Sequence, residues 1–317
     1  MSFKIAMLGM VDGNGHPYSW SAMYNGYNKE EMEYCPFPVI PRYLEKEPPE
    51  NFGIFDAKVT HIWCDDRTDA EKVARASLID NIVDNAEDVL GKVDAVIIAT
   101  DKGNEHVWRA EPFVKAGLPV FIDKPLSDNM DDLRTICKWV KDGARIMSSS
   151  SLRYTKEYIP YFLSTNELGE LRYINMTMNK SWERYGIHAL EPVFRITGRG
   201  YTSVRHTGDK THALIHLKHE RGIDIHLAVI YDMAASALKL VGTKDSVTVP
   251  MKDSYYAFKT QLTEFTKFAK GEEAPYPFIE TVEMMLIIIA GIRSRDEGGK
   301  EIFLSDLWEE LGEAGKI

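Results

Sequence analysis

The sequence predicts an α/β protein: a doubly wound parallel sheet is followed by an α+β domain with a large, mostly antiparallel open sheet. Through about residue 150, short and continuously apolar segments alternate with longer amphipathic ones. This alternation is typical of a parallel sheet covered by helices on both faces. Beyond that point, apolar and polar residues alternate along longer segments, which favours an antiparallel sheet with one solvated face. We therefore expect two domains, at residues 1–148 and 149–317.

The first domain is predicted to contain five strands separated by helices. The strands are Lys4–Leu8, Val59–Cys64, Ala95–Ala99, Val120–Asp123 and Arg145–Ser148. The helices are Ala70–Leu78, His106–Ala116 and Met130–Val140, with Ser127 as a candidate cap of the last. Residues 28–55 are rich in proline and read as an insertion. A surface excursion is favoured there over a flap that covers a ligand.

The second domain is predicted to contain strands and then helices. The strands are Arg172–Asn179, His212–Lys218, Ile223–Tyr231, Ala237–Val241 and Ser246–Val249, and the helices are Gln261–Lys270 and Ile279–Arg295. A turn at Glu220–Gly222 would place the apolar residues of two strands on one face. The opposite face carries His212, His216, Lys218, Asp224 and His226.

This polar face is interpreted as a solvated surface or a subunit contact rather than a metal site. No carboxylate or thiolate completes a recognisable metal-ligand spacing with the histidines, so no metal is expected. An open sheet needs cover, so we expect a homodimer or homotetramer formed through the C-terminal sheet.

Charge and composition exclude several classes of partner. The 317 residues include 38 Lys plus Arg against 48 Asp plus Glu, which gives a formal net charge of -10. Such a charge repels nucleic acid and anionic membrane surfaces, so neither is an expected partner. The longest apolar run, Met284–Ile292, is too short to span a bilayer and reads as a buried helix. Three separated cysteines and the lack of a secretory signal predict a reduced, cytoplasmic protein.

The first predicted strand leads into a glycine-bearing turn that could bind an anion. Gly9, Gly13 and Gly15 precede His16, and Pro17 could open a helix. Free amides and the positive end of a helix dipole favour a pyrophosphate at such a corner. The spacing fits neither GxGxxG nor the P-loop, and a tight turn without a ligand explains the glycines about as well.

Two aspartates follow the second strand, where an acidic side chain can accept the hydroxyl groups of an adenosine ribose. Asp65 and Asp66 at this place favour NAD over NADP, because a carboxylate repels a 2'-phosphate. Arg67 could instead accept that phosphate, so NADP stays open. A cap of the following helix is the competing interpretation of the two aspartates.

The ends of two further strands bring more polar residues to the same edge of the sheet. Thr100 and Asp101 follow one strand and lead to His106, and Asp123, Lys124 and Pro125 follow another. A lysine at a strand end is usually solvated. Beside a nicotinamide ring, partial desolvation and the nearby cationic ring would lower its pKa towards the range useful for proton transfer.

These residues carry a resemblance to a known family. The run DAVIIATDKGNEHVWRAEPFVKAGLPVFIDKPLS resembles the core signature of the glucose-fructose oxidoreductase, inositol dehydrogenase and rhizopine catabolism (Gfo/Idh/MocA) family. The similarity continues along the chain at Arg153-Tyr154, Leu168–Leu171, Gly186–His188, Glu191, Val241–Thr243 and the closing helix through Ser294. Asp123-Lys124-Pro125 stands at the family's Glu-Lys-Pro position, and His188 stands at its second catalytic position.

The resemblance implies a Rossmann domain and an NAD(P)-dependent dehydrogenase for a secondary alcohol of a sugar, cyclitol or related polyol, a small-molecule substrate. Lys124 and His188 would be the catalytic residues that relay the hydroxyl proton. The candidate cofactor-binding residues are Gly9, Gly13, Gly15, His16, Asp65, Asp66, Thr100, Asp101, His106, Asp123, Lys124 and Pro125. The candidate substrate-binding residues are Tyr154, Lys180, Trp182, Arg184, Tyr185 and His188, although aromatic residues and lysines of this kind are more often ordinary core or surface residues.

One departure from the family leaves alternatives open. Arg184 stands where the family often carries an acidic residue, four positions before His188. A cation there would depress the pKa of the histidine, or Arg184 could bind an acidic or phosphorylated substrate, or the site could have lost dehydrogenase chemistry. The alternatives to a dehydrogenase are therefore an NAD-dependent glycoside-cleaving enzyme and an inactive ligand-binding relative.

Overall fold

The computed structural model describes residues 2–234 and 236–317, and its first half forms a parallel sheet. Within these residues the sheet has six strands in the order β3-β2-β1-β4-β5-β6. They are β1 (Phe3–Leu8), β2 (Ala57–Trp63), β3 (Asn81–Ile82), β4 (Ala95–Ile98), β5 (Val120–Ile122) and β6 (Ile146–Met147). The five predicted strands are confirmed with small shifts at their ends. The two-residue edge strand β3 was not predicted.

Helices cover both faces of this sheet, as predicted. They are α1 (His16–Asn25), α2 (Lys29–Met32), α3 (Val39–Leu44), α4 (Arg67–Ala76), α5 (His106–Lys115) and α6 (Met130–Lys141). The prediction that Ser127 caps α6 is wrong. Asn129 is the cap, and its side chain accepts a hydrogen bond from the amide of Asp132. Ser127 lies two residues earlier, where its hydroxyl accepts the amide of Asn129.

The proline-rich segment 28–55 contains only short helices, α2 and α3, and a 3-10 turn at Pro49–Asn51. Its apolar side chains Ile40 and Leu44 are buried in the same core cluster as α1. Phe37 and Ile40 lie so close to Gly15 that a Cβ there would come within 2.5 Å of each side chain. The segment is thus part of the packed domain. Its contact with Gly15 explains why a glycine is needed at this position, even if no ligand binds there.

The second half forms a sheet of seven strands in the described part of the chain, in the order β12-β11-β7-β10-β9-β8-β13. The strands are β7 (Leu171–Asn179), β8 (Tyr201–Gly208), β9 (His212–His219), β10 (Asp224–Ile230), β11 (Ala237–Gly242), β12 (Ser246–Pro250) and β13 (Ile302–Phe303). β7 and β10 are parallel and the other neighbours are antiparallel, so the predicted mostly antiparallel sheet is confirmed.

The register of the β9–β10 hairpin follows the apolar pattern. Ala213 pairs with Val229 and Leu217 pairs with Ile225, all four on the buried face. On the opposite face the rings of His216 and His226 stack with 4.5 Å between their centroids. Oligomerisation through this face stays a prediction.

Helices of the second half pack against one face of its sheet and against the first domain. They are α7 (Ile159–Leu163), α8 (Trp182–Thr197), α9 (Ser254–Ala269), α10 (Phe278–Asp296) and α11 (Leu304–Leu311). The apolar run Met284–Ile292 lies in α10 and is almost entirely buried, as predicted. None of the helices in the described residues has the length and apolar character that crossing a membrane requires.

Candidate active site

The carboxyl ends of β1, β4 and β5 meet the start of α8 in a cluster of charged side chains. The parallel sheet brings Asp101, which follows β4, next to Lys124, which follows β5. Because β7 ends at Asn179, the residues that lead into α8 reach this edge from the second domain. Among the predicted residues, Asp101, Lys124, Lys180, Arg184, Tyr185 and His188 come together here.

Lys124 is buried and charged. Its side chain is 2% exposed, and its Nζ lies 3.2 Å from a carboxylate oxygen of Asp101. Burial favours the neutral amine, but the Asp101 and Asp123 carboxylates outweigh it and raise the pKa of Lys124 above its ordinary value. Without a cofactor Lys124 is therefore an ammonium group, and a lowered pKa beside a nicotinamide ring stays a prediction.

Asp101 joins Lys124 to Arg184. One carboxylate oxygen accepts the Lys124 ammonium, and the other lies 2.6 Å from Nη2 of Arg184. Burial alone would raise the pKa of this carboxyl group, but the two cations lower it to about 2. A carboxylate thus remains at the centre of the site, although it comes from β4 rather than from the position four residues before His188.

His188 is buried and neutral. Its Nδ1 lies 2.6 Å from the Ser150 hydroxyl, and that oxygen also accepts the amide of Leu152. Burial, followed by the charges of Lys124, His16 and Lys180, holds the pKa of His188 well below its ordinary value. The predicted direction of this shift is confirmed, but Arg184 is not its source, because Arg184 faces Asp101.

Tyr185 separates two ammonium groups. Lys124 Nζ lies 4.6 Å from the centre of its ring, and Lys180 Nζ lies 4.3 Å from it. The Tyr185 hydroxyl accepts a hydrogen bond from Lys180 at 2.6 Å, and the ring meets His188 edge to face at 4.8 Å. The aromatic ring thus fixes the positions of both lysines and of the histidine.

The glycine turn closes the other side of the cluster. The side-chain amide of Asn14 donates to the Ala99 carbonyl and to the Asp123 carboxylate. His16 Nδ1 lies 2.6 Å from the same carboxylate. Asn14 was missed by the sequence analysis, although its place between two glycines was a usable signal. The carboxylate of Asp123 is therefore held by the turn, next to Lys124.

The turn has free donors that suit a pyrophosphate. In the described chain, the backbone amides of residues 10–13 donate to no protein acceptor. Helix α1 begins shortly after them, and its N-cap residue, Gly15, has no side chain that could cap the helix. Gly9 has φ of 86°, and a Cβ there would lie 2.7 Å from Thr100. The residues present therefore fit a dinucleotide, although the glycine spacing is unusual.

A cavity of about 160 Å³ extends from these strand ends towards α5. Its lining is mostly apolar and aromatic, with one amide, one carboxylate and one cation: Leu8, Trp63, Asn85, Ala86, Glu87, Ile98, Trp108, Arg109 and Phe113. Asp65 reaches Arg109 at its rim with 2.9 Å between carboxylate and guanidinium. Arg109 was also missed, since its position in the middle of a predicted helix gave no signal.

Several predicted site residues serve the fold instead. Asp66 caps α4, because its carboxylate accepts a hydrogen bond from the amide of Thr68. The interpretation of this aspartate as a helix cap is thus confirmed. Both ring nitrogens of His106 lie against backbone carbonyls, those of Leu126 and Thr100. Arg67 pairs with Asp84, away from the ribose position.

Trp182 and Tyr154 do not line the cluster. Trp182 is fully buried, donates to the Ile288 carbonyl at 2.9 Å, and lies where a Cβ on Gly186 would clash with it. It is therefore a core residue, and its substrate-binding role is wrong. Tyr154 is buried among aromatic residues beside α9, and burial raises the pKa of its hydroxyl well above the ordinary value.

Comparison with known proteins identifies a family that the first half of the chain resembles. Residues 4–150 match the family described as an oxidoreductase family with an NAD-binding Rossmann fold, GFO_IDH_MocA. The first domain is therefore similar to the NAD-binding domain of that family. The match includes the glycine turn, Asp101 and Lys124, so the parts of the cluster that come from the first domain lie inside the family's dinucleotide-binding unit.

Solved structures share the fold of both domains. The myo-inositol dehydrogenase of Lactobacillus casei, solved with NAD(H) and myo-inositol, is 16% identical at a TM-score of 0.74, over 96% of this chain and 97% of that one. The scyllo-inositol dehydrogenase of the same organism, solved with NAD(H) and scyllo-inositol, is 11% identical. Its TM-score is 0.74, over 96% of this chain and 100% of that one.

GenD2 from gentamicin A biosynthesis, solved with NAD, is 13% identical at a TM-score of 0.73, over 96% of each chain. Identities this low show a common fold. No curated protein matches the sequence.

Proposed function

We propose that the protein is an NAD-dependent dehydrogenase that transfers a hydride between nicotinamide and a secondary alcohol of a polyol, cyclitol or sugar. The observation that carries this proposal is the pairing of a buried ammonium group, Lys124, with a buried neutral imidazole, His188, around Tyr185. The match of residues 4–150 to an NAD-binding oxidoreductase family supports it. So does the shared fold with two inositol dehydrogenases.

The two catalytic residues have complementary roles. The ammonium of Lys124 donates a hydrogen bond to the reacting oxygen and stabilises negative charge that develops there. Neutral His188 accepts the hydroxyl proton: in the tautomer with its proton on Nδ1, that proton is donated to Ser150, and Nε2 is free to accept. The opposite pKa shifts of the two groups keep both in these forms at neutral pH.

The cofactor is assigned to the edge of the first sheet. The free amides of residues 10–13 would bind its pyrophosphate, and Asp65 would bind its adenosine ribose. Asp123, held by Asn14 and His16, would face the nicotinamide side next to Lys124. When bound, NAD supplies the hydride acceptor for alcohol oxidation.

Asp101 argues against the alternative of an inactive relative. Arg184 has replaced the usual acidic residue, but the Asp101 carboxylate is present between Lys124 and Arg184 and balances one of their charges. A site that had lost its chemistry would have no reason to keep a buried carboxylate and a buried ammonium group in contact with a half-buried guanidinium, because burying ionic groups costs desolvation free energy.

Turnover of polyols tests the proposal directly. The protein is mixed with NAD⁺ and, in turn, myo-inositol, scyllo-inositol, D-glucose and D-glucuronate, and NADH is followed by its absorbance. We expect NADH to form with at least one alcohol. Absence of NADH with every alcohol would contradict the proposal, and release of nitrophenol from nitrophenyl glycosides without net NADH would favour the glycoside-cleaving alternative.

We expect NAD⁺ to bind more tightly than NADP⁺. Around the ribose position three carboxylates, Asp65, Glu87 and Glu105, outnumber the two cations Arg109 and Lys102, so the local charge is negative and repels a 2'-phosphate. Asp65→Asn should reduce the ratio of the NAD⁺ affinity to the NADP⁺ affinity about tenfold. Quenching of tryptophan fluorescence by each dinucleotide measures both affinities, because Trp63 and Trp108 line the adjacent cavity.

Asp66→Asn is the matched control for this prediction. It makes the same charge change one residue away and keeps a side chain that caps α4. Tighter binding of NADP⁺ by the wild type would show that the carboxylates do not set the preference.

Ser150→Ala should lower kcat about tenfold to a hundredfold with little change in KM, because His188 loses the hydroxyl that fixes its ring. Steady-state kinetics with the best alcohol measures the effect. Ser151→Ala is the control, since the Ser151 hydroxyl is buried but has no hydrogen-bond partner in the described chain. Equal kcat values for wild type and Ser150→Ala would remove Ser150 from the site.

A further inference from the structure

Two cations from the second domain lie over the same glycine of the first. A Cβ built on Gly13 would lie 3.7 Å from Arg184 Nη2 and 3.9 Å from Lys180 Nζ. Lys180 donates to the Gly13 carbonyl at 2.9 Å, and Arg184 donates to the Asp12 carbonyl at 3.0 Å. Both positive groups therefore border the space between the domains, next to Lys124 and His188.

The protein does not neutralise these cations fully. Among the described residues, Asp101 is the single carboxylate in ion-pair contact with the side chains of Lys124 and Arg184. Lys180 donates only to uncharged groups in the described chain, the Gly13 carbonyl and the Tyr185 hydroxyl.

The other carboxylates near the cluster do not correct this imbalance. Asp123 acts on Lys124 but makes its hydrogen bonds with the Asn14 side chain, the His16 ring and the amide of Lys124, so Asp101 and Asp123 supply two negative charges against the three of Lys124, Lys180 and Arg184. Asp12 is exposed, so water screens its charge. An excess of positive charge thus remains at the domain boundary.

Both cations also have hydrogen-bond donors to spare. Arg184 makes its two hydrogen bonds with Nη2 alone, and its Nε is buried with no partner in the described residues. Lys180 uses two of its three ammonium donors. A carboxylate or phosphate group could accept the remaining donors, and charge-assisted hydrogen bonds of this kind are the strong ones.

The backbone holds Lys180 in an unusual conformation at this place. Its φ is 65°, in the left-handed region that residues other than glycine seldom adopt. This conformation turns the chain from β7 into α8, a helix of 16 residues whose N-cap Ser181 makes no side-chain cap hydrogen bond. The positive end of the α8 dipole therefore adds to the charge of the two side chains.

We propose that the substrate carries an anionic group, a carboxylate or a phosphate, which Lys180 and Arg184 bind while Lys124 and His188 act on a hydroxyl group elsewhere on the same molecule. This inference rests on the proposed dehydrogenase function. It makes the substrate a sugar acid or sugar phosphate rather than a neutral cyclitol, and Lys180 and Arg184 become the residues that determine this specificity.

Matched ligands that differ in charge test the proposal. Binding is measured by calorimetry in the presence of saturating NADH, so that the alcohol cannot be oxidised and turnover is not needed. The pairs are D-glucuronate and D-glucose, D-galacturonate and D-galactose, D-gluconate and D-glucitol, and glucose 6-phosphate and glucose. We expect at least one anionic ligand to bind about tenfold or more tightly than its neutral counterpart.

Variants then assign the preference to the two cations. Lys180→Gln and Arg184→Gln should each reduce the preference about tenfold, because the affinity for the anionic ligand falls by more than the affinity for its neutral counterpart. Lys180→Arg keeps the charge and should retain most of the preference. Lys239→Gln, which removes an exposed cation on β11, is the control for net charge.

Three results would overturn the inference. They are the absence of any preference for the anionic member in all four pairs, an unchanged preference in both Gln variants, and a loss that falls on NADH affinity instead. The last result would assign the two cations to the diphosphate of the cofactor. Because binding is measured without turnover, a protein that prefers anions but oxidises no alcohol would refute the proposed function and leave the anion site standing.

Discussion

Lys124→Met is expected to lower kcat for alcohol oxidation by about a thousandfold and to leave the affinity for NAD⁺ nearly unchanged. Methionine keeps most of the apolar stem of this buried side chain but removes the ammonium group that contacts the reacting oxygen. Asp101 remains paired with Arg184, so the carboxylate is not left without a cation. Single-turnover measurement of NADH formation, together with fluorescence titration of NAD⁺, separates the chemical step from binding.

An exposed lysine at the same edge of the sheet provides the control. Lys102 is about half exposed and pairs with Glu105, so Lys102→Met should leave kcat at the wild-type value. Retention of most turnover by Lys124→Met would remove Lys124 from the mechanism, and a parallel loss of NAD⁺ affinity would assign it to cofactor binding.

Asp101→Asn is expected to destabilise the protein by about 3–5 kcal/mol, the usual cost of removing one partner from a buried ionic cluster. Lys124 would lose the carboxylate that it contacts, and Arg184 would lose the same partner. Chemical denaturation of both proteins at neutral pH measures the difference in the free energy of unfolding. Equal stabilities would show that the cluster contributes nothing to the fold.

The pH dependence of this difference has a defined sign. The pKa of Asp101 is lowered from 3.8 to about 2, so its charge stabilises the folded protein fully above pH 3.8. The stabilisation is lost as the pH falls towards 2, and the wild type and the variant should therefore converge in acid. A difference that stays constant down to pH 2 would contradict the assigned shift.

Activity should respond to Asp101→Asn at the opposite end of the pH range. In the wild type the carboxylates raise the pKa of Lys124, so the ammonium persists through alkaline pH. In the variant burial is opposed less strongly, the pKa of Lys124 falls, and the alkaline decline of kcat/KM should move to lower pH.

The strands of the first domain could be predicted because burial on both faces leaves a clear mark on the sequence. β4 and β5 are short and entirely apolar, and the helix α5 between them was predicted although Pro112 lies inside it. The edge strand β3 has two residues and no such mark. The helix α8 was missed because Gly186 and Pro192 lie inside it, and both disfavour helices in isolation.

The candidate site was predictable in its members but not in its contacts. Strand-end positions indicated Asp101 and Lys124, since parallel strands end at a common edge. Asp101 binds both Lys124 and Arg184. The second contact depends on how β7 leads into α8 across the domain boundary, and no local sequence pattern encodes that path. Trp182 illustrates the converse: its neighbours in sequence lie at the site, but its own ring points into the core.

The central claim is that a dinucleotide lies along the carboxyl ends of the first sheet with its reactive ring next to the Lys124 ammonium. A crystal structure of the protein with NAD⁺ tests it most directly. We expect electron density from the cavity at Trp63 and Arg109, past the amides of residues 10–13, to Lys124. Density elsewhere, or a nicotinamide ring remote from Lys124 in a fully occupied complex, would contradict the account.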